Sequence, residues 1–146
     1  LLHARKVVTF LDRLEQGNIL PKTVLFTINP RDNDLFVSIA GSFQDSTVPG
    51  KVQFGPAWWF NDNRDGIIAH LNALSNGGLL SRFIGMVTDS RSFLSFPRHD
   101  YFRRILCSLL GDEMERGEIP DDTELVGGMV HDICYHNAVS YFNLEG

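Results

Sequence analysis

Three short runs of apolar, β-branched and aromatic residues recur along this chain, and stretches with helical periodicity separate them. The runs occupy residues 23–28, 51–55 and 82–87. Runs of this length and composition predict strands, and strands that alternate with helices predict a parallel sheet with right-handed crossovers. We therefore expect an α/β fold in the order αβαβαβαα. Neither a repeat nor a linker interrupts residues 1–146, which predicts one segment.

The helical stretches carry apolar residues three and four positions apart and are bounded by typical capping residues. A first helix is predicted over residues 3–16. Asn61 to Asn63 can cap a helix that stops at Gly77-Gly78, and a long helix over residues 98–116 keeps the 3.6-residue period. Asp121-Asp122 can cap the last helix, so the chain ends in helical structure.

Composition excludes several classes of protein. The net charge is −5, with 18 acidic and 13 basic residues, whereas a protein that binds nucleic acid normally carries a basic balance. No apolar run approaches the ~18 residues of a membrane-spanning helix. Cys107 and Cys134 lie in helical patterns and form neither a disulfide framework nor a zinc motif. We expect a cytoplasmic protein with no nucleic-acid or membrane partner.

Polar and aromatic residues follow each predicted strand, and this is where ligands bind in parallel α/β folds. Residues 29–32 (NPRD) follow the first strand, residues 55–62 (GPAWWFND) end the second, and residues 88–92 (TDSRS) follow the third. Such groups suit a polar, charged ligand. The chemistry of this protein is therefore expected at these three strand ends.

Asp89 and Arg91 are the most suggestive pair on chemical grounds. A carboxylate at the mouth of a parallel sheet can act as a general base or a metal ligand, and an arginine offers a planar fork to a substrate carboxylate. The alternative is that Asp89 caps a helix or forms an ion pair with Arg91, and the spacing alone favours this alternative. One carboxylate does not make a zinc site, so we expect no tightly bound metal in this chain by itself.

Trp58 and Trp59 are the second candidate feature. A tryptophan after a strand can stack on a sugar ring or form the wall of a pocket, because it offers a large rigid face and one N–H donor. The alternative is core packing, and it is favoured for each residue taken singly. In extended backbone the two side chains point to opposite sides, so one of them is expected to face the ligand.

Two further groups have less specific interpretations. The arginines of residues 98–104 could bind an anion, but a solvated helix start with internal ion pairs is favoured. His131 and His136 lie five residues apart, which differs from the i, i+4 spacing of a helical zinc pair, and we interpret them as structural or exposed. Dinucleotide-binding, P-loop, nucleophile-elbow and His-x-His motifs are absent from the sequence.

The strand ends and the segment that follows them resemble the uronate (glucuronate) isomerase family, in the C-terminal portion of its members. The resemblance covers essentially the whole chain. It rests on residues 55–62, 78–95 and 98–104, with further agreement over residues 20–30 and 137–144.

The resemblance implies an amidohydrolase-type (β/α)8 barrel whose last three strands are those predicted here. It implies the reversible isomerisation of D-glucuronate to D-fructuronate and of D-galacturonate to D-tagaturonate. Asp89 would then transfer the proton, and Arg91 and Trp58 would contact the uronate. The full-length enzyme would be a homo-oligomer and could use a divalent metal such as zinc, with Asp89 adjacent and the other ligands upstream of this chain.

The chain begins with Leu1-Leu2-His3, inside an amphipathic pattern, and we interpret it as a segment of a longer protein. Three strands of a barrel leave open edges, so we expect the segment to be inactive alone and to self-associate or require its partner strands. Two alternatives remain at this point. One is a non-catalytic module that binds an anionic sugar through Arg91 and Trp58, and the other is a purely structural segment.

Overall fold

The computed structural model describes residues 2–144 and has a helix-rich α/β architecture. The helices are α1 (Leu2–Gln16), α2 (Asn33–Ser42), α3 (Arg64–Gly77), α4 (Arg98–Glu115), α5 (Thr123–His131) and α6 (Asn137–Phe142). The strands are β1 (Thr23–Leu25) and β2 (Val52–Phe54). A π-helical turn, Asp132–His136, joins α5 to α6.

The two strands pair in parallel, as the sequence predicts. Thr23 lies opposite Val52 and Leu25 lies opposite Phe54. Helix α2 connects them and packs against both β2 and α3. Because the strands are parallel, the segments that leave their carboxyl ends emerge at the same edge of the sheet.

The prediction of a third strand over residues 82–87 is wrong, because these residues form no strand in the structure. Leu80–Arg82 form a 3-10 turn, and residues 83–87 pair with no strand within the described range 2–144. Phe83 is extended, but Gly85 adopts φ +80, which takes the run out of the β region. Side-chain amides then supply the hydrogen bonds that a partner strand would supply. Gln53 Nε2 donates to Arg82 O at 2.9 Å.

Helix boundaries follow the predicted capping residues closely. Asn63 Oδ1 accepts a hydrogen bond from Gly66 N at 3.0 Å at the start of α3. Asp122 Oδ1 accepts from Glu124 N and Leu125 N at the start of α5. These bonds satisfy amide groups that a helix leaves free in its first turn.

The core lies between the sheet and the helices: α2 packs on β2 and α3, α3 packs on α4, and α4 packs on α5, the start of the terminal helical segment Thr123–Phe142. Its most deeply buried apolar side chains come from six different elements or segments: Leu11, Val52, Ile67, Leu71, Phe83, Leu106, Leu110 and Ile133. Phe102, Ile105, Leu106 and Leu110 form the buried face of α4, in agreement with its predicted period. No helix in residues 2–144 is both long and apolar enough to cross a membrane.

Candidate functional site at the strand ends

The segments that follow β1 and β2 are joined by a buried amide. Asn61 is 1% exposed, and its Nδ2 donates to the carbonyl oxygen of Thr27 at 3.1 Å. Thr27 itself is buried two residues beyond β1, and Asn61 closes the 3-10 turn Trp59–Asn61. This hydrogen bond therefore fixes the distance between two of the three predicted strand ends.

The segments that follow β2 and the third run are joined by an arginine of α4. Arg98 Nη1 donates to Thr88 O at 2.8 Å, and Arg98 Nη2 forms an ion pair with Asp62. Asp62 directly follows Asn61, so two consecutive residues connect this segment to both of its neighbours. The structure thus brings the three predicted strand ends together at one edge, although the third run is not a strand.

Asp89 lies directly after Thr88 and is exposed. Its backbone adopts φ +47, the left-handed region that few residues other than glycine occupy. Its side chain caps no helix, because Ser92 supplies the cap of the turn Phe93–Ser95. Within residues 2–144 its carboxylate forms no ion pair either. The two structural alternatives for Asp89, a cap and a partner of Arg91, are therefore not realised.

Arg91 is also exposed, two residues beyond Asp89, and its guanidinium makes no ion pair or hydrogen bond with protein groups in the described part of the chain. Because Asp89 and Arg91 form no ion pair with each other, both side chains are available to bind a ligand. Arg91 keeps its planar fork for an anion.

The two tryptophans differ in environment. Trp58 is half-buried and packs edge-on against Phe26, with ring centroids 5.8 Å apart. Trp59 is 61% exposed and adopts φ +54. The rings of Trp58 and Trp59 are nearly perpendicular, with centroids 5.6 Å apart. Trp58 is thus held by the protein and suited to wall a site, whereas Trp59 is an exposed apolar group.

A buried histidine holds the end of β2 against α3. His70 is 2% exposed, and its Nε2 lies 2.6 Å from Gly55 O, so this nitrogen must carry the proton and donate it. Burial lowers the pKa of His70 to about 4, which keeps the ring neutral at physiological pH. The rings of Phe54 and Phe83 pack against the imidazole, with centroids 4.6 Å and 5.3 Å away. His70 is structural, and it supports the backbone that leads into Trp58.

The terminal helical segment, Thr123–Phe142, contacts the third run, residues 82–87, and the turn before it. Asn137 Nδ2 donates to Ser81 O at 2.8 Å and to Phe83 O at 2.9 Å. Gly85 packs on the backbone of Ile133 in the π-helical turn. These contacts position the run that leads into Thr88 and Asp89.

Sequence reasoning missed the roles of Arg98, Asp62 and Asn61. It interpreted residues 98–104 as a solvated helix start, which holds for Arg104 and its exposed pair with Asp100. Arg98 instead makes long-range contacts. One signal was available: a cation in the first turn of a helix is opposed by the helix dipole, which suggests that a tertiary partner holds it.

The residues present do not form a metal site by themselves. No group of three His, Cys, Asp or Glu side chains in residues 2–144 is arranged to hold a metal ion. The exposed rings of His131 and His136 do approach, with centroids 4.6 Å apart, because the π-helical turn brings residues i and i+5 to one side. Two imidazoles are fewer ligands than a zinc site uses.

A half-open cavity of about 260 Å³ lies beside β2, between residues of α2, α3 and the segment 79–83. Val37, Val52 and Leu74 contribute to its mainly apolar wall, and Gly50 and Arg82 lie at its margin. Its lining residues include no carboxylate, histidine or cysteine, so it offers no group for acid–base chemistry.

Comparisons with known proteins agree with one another. The glucuronate isomerase family model matches residues 2–142. The uronate isomerase of Bacillus licheniformis is 56% identical over 142 residues, which cover 97% of this chain and 30% of that protein. The uronate isomerase of Opitutus terrae is 59% identical over 141 residues, again 97% of this chain and 30% of the relative.

The fold agrees as well. A crystal structure of the uronate isomerase from Thermotoga maritima superposes with a TM-score of 0.82 at 34% identity, covering 95% of this chain and 29% of the solved chain. The chain spans about 30% of the length of the curated relatives it matches. From the family match across residues 2–142 and these levels of identity, the chain belongs to the glucuronate isomerase family.

Proposed function

We propose that this chain forms the C-terminal part of a (β/α)8 barrel in a uronate isomerase, and that it contributes Asp89, Arg91 and Trp58 to the substrate site. The family membership of residues 2–142 carries this proposal. The joined strand ends support it, because active sites of such barrels lie at the carboxyl ends of the strands.

Two observations support the barrel. The two strands that form are parallel, as barrel strands are. Large apolar side chains also stand exposed on the segments that follow the strands: Phe60 is 70% exposed, Phe93 86% and Leu94 89%. Exposed apolar groups in such number are typical of surfaces that another part of a protein covers. The remaining units of the barrel would cover them.

The proposed reaction is a reversible aldose–ketose isomerisation of D-glucuronate, and likewise of D-galacturonate. The Asp89 carboxylate removes the proton from C2, the electron pair forms the C1–C2 double bond of an enediol, and the C1 carbonyl oxygen gains a proton. The Asp89 carboxyl then returns its proton to C1, while O2 loses its proton and becomes the ketone oxygen. One carboxylate suits both steps because the proton that it accepts is the proton that it donates.

Arg91 and Trp58 would bind the substrate. A uronate is an anion at neutral pH, and a guanidinium can bind its carboxylate through two parallel hydrogen bonds. Trp58, held at an angle by Phe26, would present its free face to the sugar. Within residues 2–144 no group of three His, Cys, Asp or Glu side chains could hold a metal ion, and no step of the proposal passes through one.

A chimeric enzyme tests the proposal, with this chain replacing the matching segment of the Bacillus licheniformis uronate isomerase. We expect the chimera to convert glucuronate to fructuronate and the Asp89→Asn variant to lose about 100- to 10,000-fold in kcat, the range for a general acid–base group. Asp112→Asn removes an exposed carboxylate of α4 and serves as the matched control. Equal activity of the Asp89→Asn chimera and the parent would refute the assignment.

The isolated chain distinguishes an enzyme segment from a binding module. We expect no turnover of glucuronate by the chain alone, since it spans about 30% of its relatives. Calorimetric titration with glucuronate should show no saturable binding. Binding that Arg91→Ala abolishes, in the absence of turnover, would instead favour the non-catalytic module.

The assembly and location of the complete enzyme are part of the same proposal. It would be a homo-oligomer, which light scattering on the chimera measures directly. Cys107 and Cys134 of this chain are free thiols, and this suits the reducing cytoplasm.

A further inference from the structure

We propose that Arg98 is a positioning residue of the isomerase, which holds the Asp89 segment in register with the segment that carries Trp58. The inference rests on the proposed function of Asp89. It concerns a residue that neither touches the proposed substrate groups nor belongs to the three candidate site residues.

The geometry of the guanidinium is the first argument. Arg98 stands at the start of α4, and its Nη1 donates to Thr88 O at 2.8 Å while its Nη2 pairs with Asp62. A planar fork can make two such contacts at once, whereas the single ammonium of a lysine cannot span both in the same way. One side chain therefore links the residue before Asp89 to a residue four positions after Trp58.

The environment of the pair is the second argument. The Asp62 side chain is 13% exposed and that of Arg98 is 35% exposed, against 54% and 78% for the pair of Asp100 and Arg104 on the same helix. A partly buried pair is screened less by water than an exposed one, and removal of one partner leaves the other charge poorly solvated. The helix dipole also opposes a cation in the first turn of α4, so this contact must overcome that opposition.

The backbone of Asp89 is the third argument. A non-glycine residue at φ +47 is held in that region by its surroundings. The Asp89 side chain has no hydrogen bond of its own in the described residues, so anchors on its two neighbours fix it. Arg98 holds Thr88 on one side, and Ser95 Oγ donates to Ser90 Oγ at 2.5 Å on the other.

The Asp62 end of the link is itself fixed to the sheet. Asn61, the residue before Asp62, donates through its buried amide to Thr27 O beyond β1. The chain of contacts therefore runs from the end of β1 through Asn61 and Asp62 to Arg98 and Thr88. Substitution of Arg98 would remove the contacts that link the Asp89 segment to Asp62, without removing any group that reacts.

Steady-state kinetics of the active chimera test this role. For Arg98→Ala we expect kcat to fall about 10- to 100-fold, the usual effect of removing a group that orients a reacting residue. The KM for glucuronate should change less than about threefold, because Arg91 and Trp58 are left in place. Arg98→Lys should recover only part of the loss, since it keeps the charge but not the fork.

Two further variants keep the test decisive. Asp62→Asn removes the charge of the partner without changing its shape, and it should reproduce the fall in kcat. This variant carries the test if Arg98→Ala does not fold. Arg104→Ala on the same helix is the matched control and should change kcat by less than about twofold, as expected for an exposed pair. A kcat for Arg98→Ala or Asp62→Asn equal to that of the control overturns the proposal.

A double variant separates positioning from general stability. In the Asp89→Asn background, Arg98→Ala should cause no further loss of kcat, because the carboxylate that it positions is gone. Equal proportional losses in both backgrounds would show a purely structural role and would overturn the proposal. If instead Asp89→Asn alone leaves kcat intact, the proposed function of Asp89 fails, and this outcome is distinguishable from the failure of Arg98 alone.

Discussion

Gly85 approaches the π-helical turn so closely that a Cβ atom at this position would lie 2.3 Å from the carbonyl oxygen of Ile133. Gly85 also adopts φ +80, a conformation that disfavours every L side chain. The two constraints act together at the point where the last helical segment supports the run that leads into Asp89. Through this contact the π-helical turn helps to position the segment that carries Asp89.

Gly85→Ala should therefore be strongly destabilising. The left-handed backbone and the overlap with Ile133 O together should lower the free energy of unfolding by about 2 to 5 kcal/mol. Chemical denaturation followed by circular dichroism measures this. Gly128→Ala is the matched control, because a Cβ there meets nothing within 4 Å and the residue lies within α5. It should stabilise by about 0.5 to 1 kcal/mol through helix propensity. Similar losses for both variants would contradict the packing argument.

Asn137→Ala should weaken the same contact from the side of the helix. It removes the donor to Ser81 O and Phe83 O, and we expect a loss of about 1 to 3 kcal/mol in the free energy of unfolding. Asn137→Asp is isosteric but directs an acceptor at two carbonyl oxygens, so it should be at least as destabilising. Asn72→Ala, at an exposed position of α3, should be neutral or slightly stabilising in the same measurement. A stable Asn137→Asp variant would show that the two hydrogen bonds do not matter.

His70 should make the stability depend on pH. Its pKa is about 4 in the folded protein and about 6.5 in an unfolded chain, so between these values only the unfolded state binds the proton. The contribution is present in full above about pH 6.5 and is lost progressively as the pH falls towards 4. Between pH 7 and pH 5 the free energy of unfolding should fall by about 2 kcal/mol from this residue.

The variant His70→Gln isolates this effect, because glutamine can donate to Gly55 O but does not titrate. Its free energy of unfolding should depend less steeply on pH between 7 and 5 than that of the parent protein. Asn72→Gln, an exposed change that removes no titratable group, should leave the slope as it is. An unchanged slope in His70→Gln would mean that the buried ring is protonated in the folded protein.

Substitution of the two tryptophans should affect the KM of the active chimera differently. Trp58→Phe reduces the half-buried ring that we assign to the substrate, and the KM for glucuronate should rise about tenfold, equivalent to ~1.4 kcal/mol of binding. Trp59→Phe changes an exposed ring and should leave the KM within about twofold. The comparison uses initial rates over a range of glucuronate concentrations. The reverse order of effects would assign the substrate contact to Trp59.

Local features of the sequence determined much of this protein. The amphipathic periods predicted α1 to α5, and Asn63 and Asp122 marked helix starts because their side chains bind amides only two or three residues away. The β-branched runs predicted β1 and β2 and, with the helices between them, their parallel direction. The strand-end pattern also selected Asp89, Arg91 and the pair Trp58-Trp59, although it left their structural alternatives open, and only the resemblance to the family singled out Trp58.

Only the tertiary structure decided the rest, since it depends on contacts between residues distant in sequence. Asn137 and Phe83 are 54 residues apart, and their hydrogen bond helps to replace the ladder that the third run was expected to form. Arg98 belonged by composition to an exposed basic helix start, yet it reaches Asp62 and Thr88 because α4 packs on α3, which begins two residues after Asp62. Periodicity and capping are short-range and can be read from neighbours, whereas the partner of a charged side chain is set by how whole elements pack.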